Sequence, residues 1–196
     1  MGKTILGDAF KLCDDAGHGF ENRNENSYDP GACSGGAEEA DIALAFALTG
    51  KWMFERAGLL IFLTRNDDRD STPVGLRDDQ ARRAGCSHFL SIHCNSSASE
   101  TATGTETLYR DARDLEWARI VHAAALEALG LRDRGLKQES SIIRDGKPLR
   151  LAVLDFAPPA CLLELGFISN AADRAVMLQR DTRIRFWNAV ITTLKA

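Results

Sequence analysis

Two histidines and a few carboxylates occupy positions in this chain that expose them for chemistry. Asp15-Ala16-Gly17-His18-Gly19 sets a histidine between two glycines just past an apolar run, on a tight turn with open space around it. Ser91-Ile92-His93-Cys94-Asn95 closes a second apolar run with another histidine, followed by a small polar loop. His88 comes five residues before His93 and points to the opposite face of a regular strand, so it is the weaker candidate. His122 lies among alanines in a helical stretch, where partial solvation is the plain reading. Two imidazoles can share a metal ion, but a zinc site ordinarily needs a third protein ligand. Glu39 is the best supplier, because the positive end of a helix that starts there favours a carboxylate. Glu38 is its main rival and Asp41 a lesser one. The bland alternative is that both glutamates only cap the helix.

A fourth group stands apart. In Pro159-Ala160-Cys161-Leu162-Leu163-Glu164-Leu165-Gly166-Phe167 one ionisable residue interrupts an apolar strand. Burying a charge there costs several kcal/mol unless a cation or a partner meets it. A buried Glu164 paired with an arginine is the structural alternative. Taken together, His18, His93, a helix-start glutamate and Glu164 fit a hydrolytic zinc centre better than coincidence. Asn95, next but one to His93, either orients a ligand from behind or shapes the turn.

The elements that must position these groups follow from the apolar pattern. Ala9–Asp14, Leu59–Thr64, Ser87–His93 and Gly104–Tyr109 read as strands, and short strands follow at Leu151–Leu154 and Ala160–Glu164. Glu38–Arg56 reads as a well-buried helix with an apolar row Ile42, Ala45, Phe46, Met53, widened by Leu44, Leu48 and Trp52 and stopped at Gly58. Leu76–Ala84, Leu115–Leu129, Ala171–Gln179 and Thr182–Leu194 are further helices, with Ser169 or Asn170 as a cap. Alternating strands and helices predict an α/β three-layer sandwich: a central mixed, mostly parallel sheet of about six strands flanked by helices. Ligands of such sheets gather at the carboxyl ends of strands, where His18, His93 and Glu164 all fall.

The chain has 196 residues, 44% hydrophobic and 27% charged, which suits one domain spanning residues 1–196. Its net charge of −4 gives no electrostatic reason to bind nucleic acid or an anionic membrane. No stretch nears the roughly 18 apolar residues of a bilayer span, so no membrane insertion is expected. Met1 to Phe10 is too polar for a signal-peptide core, so the expectation is synthesis in the cytoplasm without a signal, or an exported protein whose signal has been removed. Cys13, Cys33, Cys86, Cys94 and Cys161 are odd in number and scattered, which reads as mostly buried thiols rather than a disulfide framework.

The motifs, in order, resemble the zinc-dependent N-acetylmuramoyl-L-alanine amidases of the Amidase_3 type, which include cell-wall autolysins and phage endolysins. The resemblance rests on D-A-G-H-G at Asp15–Gly19, G-x-x-x-E-A-D-I-A-L ending at Leu44, and L-T-R at Leu63–Arg65. It continues through S-I-H-C-N at Ser91–Asn95, G-T-E-T-L-Y at Gly104–Tyr109, and L-L-E-L-G-F-I-S-N at Leu162–Asn170. Ala16, Ala40 and Ala43 depart from the proline, basic residue and asparagine common in the family, but none of these is a ligand position.

The resemblance selects Glu39 over Glu38, makes His18, Glu39 and His93 the ligands of one Zn2+ per chain, and makes Glu164 the catalytic carboxylate. It implies hydrolysis of the amide between the lactyl group of N-acetylmuramic acid and L-alanine of peptidoglycan, by a zinc-activated water with Glu164 as general base and acid. A zinc carboxypeptidase acting within the stem peptide, or a catalytically silent peptidoglycan-binding module, are the competing readings. Some relatives carry an occluding helix after the second zinc histidine. Cys94–Thr103 is too short for one, so an uninhibited monomeric enzyme is expected, acting on the wall in the periplasm or outside after release. Arg134, Lys137, Arg144, Lys147 and Arg150 make the middle of the chain basic. They could meet stem-peptide carboxylates, although a solvated face is the plainer account.

Overall fold

The structure, a computed structural model, describes residues 10–157 and 159–196. The start of the first predicted strand, Ala9, lies outside the described residues, as does most of the N-terminal segment read for a signal peptide. Six strands form the central sheet: β1 Lys11–Ala16, β2 Leu60–Leu63, β3 His88–Asn95, β4 Thr105–Tyr109, β5 Asp133–Gln138 and β6 Ala160–Phe167. Their order across the sheet is β2-β1-β3-β6-β4-β5. The first four in that order run parallel, β4 runs against β6, and β5 follows β4 in parallel. The carboxyl ends of β1, β3 and β6 therefore meet the beginning of β4 at one sheet edge.

Alternation along each strand builds two cores. Leu12 and Ala16 of β1 and Leu90 and Ile92 of β3 face helices α1 Glu39–Ala57, α3 Leu115–Leu129 and α5 Arg180–Lys195. Cys13, Phe89 and Leu162 face the other way, onto Ala81 of helix α2 Arg77–Arg83 and Val153, Leu154 and Phe156. The layers are those expected, the second thinner than the first. Helix α4, Ala171–Met177, is capped by Asn170, whose side chain accepts from the amides of Ala172 and Asp173.

Three local readings change. Leu151–Leu154 is no strand: Ala152–Asp155 forms a 3-10 turn that packs its apolar side chains on the sheet. The sixth strand is β5, whose sequence DRGLKQ carries no apolar alternation because it lies at the sheet edge. In α1, Leu48 and Trp52 are exposed, and the buried row is Ile42, Ala43, Phe46, Ala47, Gly50 and Phe54. The cysteines are all free thiols, four buried and Cys33 exposed. Residues 96–104 join β3 to β4 without a helix, and no helix among the described residues is long and apolar enough to cross a membrane.

Candidate metal centre

The turn after β1 places His18 at φ 62°, a left-handed conformation unusual for a residue with a side chain, and aims its ring back over the sheet edge. There Nε2 lies 3.1 Å from Glu39 Oε1, and Nδ1 lies 3.0 Å from Asp29 Oδ2. His93, at the end of β3, brings Nδ1 to 2.9 Å from the same Glu39 oxygen. The two imidazoles stand 4.9 Å apart at 74°. Gly17 is required by this approach, since a Cβ there would lie 2.4 Å from the His93 ring. Gly31 has the same task at the other side, where a Cβ would press on Glu39 and His18.

Glu39 begins α1 and is almost fully buried. Burial alone would raise its pKa, but hydrogen bonds and charge from His18 and His93 hold it far below the usual carboxylate range. Its oxygens also accept from the amides of Cys94 and Ala32, both at 2.9 Å. Of the rivals, Asp41 is exposed and Glu38 stays outside the group. Burial lowers the His18 pKa, yet bonds to Glu39 and Asp29 outweigh it and raise the net value. One ligand atom each from His18, Glu39 and His93 lie within 4.8 Å of one another. Two imidazoles around one charged carboxylate is the donor chemistry that zinc takes, with room left in a four-coordinate shell.

Glu164 of β6 is the register partner of His93, so both side chains rise from the same face of the sheet. The arginine pairing considered for it is not formed. Its Oε2 is buried with no hydrogen-bond partner among the described residues. Burial, then the charges of Glu39 and Glu106, push its pKa up to about 8, and Arg144 offsets part of that. A dication among His18, Glu39 and His93 would give this carboxylate the opposite charge it lacks.

A family model described as N-acetylmuramoyl-L-alanine amidase matches residues 14–196. This chain belongs to the N-acetylmuramoyl-L-alanine amidase family. It is 28% identical over 169 residues to the N-acetylmuramoyl-L-alanine amidase LytC of Bacillus subtilis, covering 84% of this chain and 31% of LytC. With the amidase CwlM of Bacillus licheniformis it shares 29% over 176 residues, covering 83% of this chain and 58% of CwlM. The chain thus spans less than two thirds of either relative. Among solved structures, the catalytic domain of CwlV, an amidase from Bacillus (Paenibacillus) polymyxa, matches with a TM-score of 0.77 at 30% identity. That match covers 94% of this chain and 95% of the CwlV domain.

Within this amidase fold, several residues to which the sequence assigns no role hold the centre in place. Asp29 steadies His18, and itself accepts from Asn22 Nδ2 at 2.6 Å and from the Gly31 amide at 2.9 Å. Burial works against its charge, but those bonds and His18 bring its pKa down to about 2. Two fully buried arginines clamp the turn that carries His18. Arg65 donates to the carbonyls of Ala16, Gly17 and Ala40. Arg77 donates to the carbonyls of Ala16 and His18 and pairs with Asp15 at 2.5 Å. Thr64 and Ser91 complete the Asp15 shell. Asn95 donates to Glu106 Oε1 at 2.9 Å, and among the described residues it makes no hydrogen bond to the three ligands. His88 packs between Phe10 and Trp117 on the opposite face. His122 is buried rather than solvated, held by Thr107 and Asp133.

Proposed function

We propose that this chain is a zinc-dependent amidase that hydrolyses the bond between the lactyl group of N-acetylmuramic acid and L-alanine of the peptidoglycan stem. The observation that carries the reading is the convergence of His18, Glu39 and His93, with the unpartnered carboxylate of Glu164 one strand away. His18, Glu39 and His93 would hold one ion. When bound, zinc supplies Lewis-acid charge that polarises the amide carbonyl and acidifies water.

The chain's own residues do the rest. Asp29 accepts from His18 Nδ1, which fixes the tautomer and leaves Nε2 free to bind. Glu39 stays ionised because His18 and His93 surround it. Glu164 takes a proton from the attacking water and passes it to the departing L-alanine nitrogen. Its buried, apolar setting suits a group that must hold the proton between the two steps, while a neighbouring dication opposes the rise in its pKa. The same reading has the enzyme act as a monomer at the cell wall, as an endolysin or an autolysin.

Purified cell walls incubated with the zinc-loaded chain should gain new N-terminal L-alanine and free lactyl carboxyl groups, and EDTA should abolish both. Release of amino acids from within the stem would indicate a carboxypeptidase instead. No new ends at all would leave a wall-binding module.

A further inference from the structure

The two flanks of the centre differ in character. Beside His18 and His93 a cavity of about 100 Å³ has largely apolar walls from Val74, Leu151, Val153 and Leu162, with Asn22, Arg23 and Arg77 also lining it. On the opposite flank, beyond Glu164, cations gather. Glu106 of β4 is the register partner of Glu164, so the two carboxylates rise side by side from one face. Glu106 is buried, and its Oε2 accepts from Arg134 Nε at 2.8 Å and from Lys137 Nζ at 2.5 Å. Burial pushes its pKa up, but Lys137 and Arg134 outweigh that and keep it charged.

One carboxylate therefore anchors two cations without using them up. Arg134 spends only its Nε on Glu106 and lays its guanidinium over the Phe167 ring, and Lys137 spends one of its three N–H groups. Both side chains stay about a third exposed, at 29% and 32%. A third cation, Arg144, stands on the exposed hairpin Ile143–Arg144/Lys147–Pro148 that follows β5 in the chain. A buried carboxylate beside Glu164 that holds Arg134 and Lys137 partly buried is a more organised arrangement than a solvated basic face requires.

Which part of the substrate comes here follows from the proton. Glu164 hands its proton to the leaving nitrogen, so the stem peptide lies on Glu164's side of the scissile bond. Neighbouring strands are about 4.8 Å apart and successive residues about 3.8 Å, so the cations lie within a residue or two of that nitrogen. Resting on the amidase reading, we propose that Arg134, Lys137 and Arg144 form a subsite for a free carboxylate on the stem-peptide residue that follows L-alanine. Glu106 and Asn95 position its cations and do not touch the substrate.

The test uses the full zinc-loaded chain and two muramoyl-L-alanyl dipeptides that differ only in whether the carboxylate on the second residue is free or amidated. Calorimetric titration of the two corresponding released dipeptides adds a readout independent of turnover. The free carboxylate should be favoured roughly tenfold, through KM rather than kcat, and the dipeptide affinities should show the same bias. Lys137→Met and Arg144→Ala should each shrink that ratio several-fold, and added salt should shrink it further. Arg144 sits on an exposed hairpin, so its variant keeps the test valid should Lys137→Met fold poorly. Equal cleavage and equal binding of both compounds by the unaltered chain, or an undiminished ratio in both variants, overturns the subsite. Failure to cut either compound with zinc bound overturns the amidase reading itself, and the subsite with it.

Discussion

At the His18 turn, two buried arginines hold the carbonyls of Ala16, Gly17 and His18, and a carboxylate holds the imidazole from behind. At Glu164, a carboxylate oxygen just as deeply buried has no hydrogen-bond partner among the described residues. A satisfied buried network fixes geometry, whereas an unpaired buried polar group costs about 1–3 kcal/mol and stays available to react. The difference separates two tasks within one small site. One flank is rigid so that ligand atoms converge, and the other is left incomplete so that a proton can come and go.

The comparison is broken most forcefully at the arginine clamp. Arg77→Met leaves Asp15 without its cation and the His18 carbonyl without a donor, while the Ala16 carbonyl keeps Arg65, so urea denaturation should show a loss of about 3–5 kcal/mol. A loss below 1 kcal/mol would mean that the clamp is not what holds the turn. A more local cut is Asp29→Asn, which weakens the hold on His18 while keeping the fold. Chelator competition should show zinc affinity reduced about 10–100-fold. Unchanged affinity would remove Asp29 from any positioning role.

A pH profile sharpens the contrast from the Glu164 side. Its folded pKa of about 8 lies above the ordinary 4.5, so the folded zinc-free chain binds more protons than the unfolded one between those values. Stability of the zinc-free protein should therefore fall as pH rises from about 4.5 to about 8. Glu164→Gln should flatten part of that fall. Asp14, also buried without partners and raised by burial and then by Asp15, supplies a further decline of the same sign. An unaltered pH profile in Glu164→Gln would show that its carboxylate is not protonated on folding.

Much of this design is legible in the sequence, for reasons specific to the residues. His18 follows β1 on a glycine turn, His93 lies near the end of β3, and Glu164 interrupts the apolar run of β6, so both the strand and the group it presents are visible in the sequence. Glu39 needed the family motif to be chosen over Glu38, since a helix start favours either equally. The clamp was not legible. Arg65 stands in the L-T-R motif with no role to read from it, Arg77 looks like an ordinary surface arginine, and only the fold brings them beneath a turn 48 and 61 residues earlier. Asp29 precedes Pro30-Gly31 and reads as a turn residue. β5 hid because an edge strand with polar faces has no period to detect, and Ala152–Asp155 misled because apolar residues serve a packed 3-10 turn as well as a strand. Asn95 stands beside the ligands in sequence, but in the fold its side chain donates to Glu106.

The division of labour is tested most directly by measuring zinc content and turnover on muramoyl-L-alanyl substrate together, in Glu164→Gln and His18→Ala. Glu164→Gln should keep one zinc per chain while turnover falls about 10²–10⁴-fold, and His18→Ala should lose both metal and turnover. A folded, zinc-loaded Glu164→Gln protein that turns over at the unaltered rate would contradict the account.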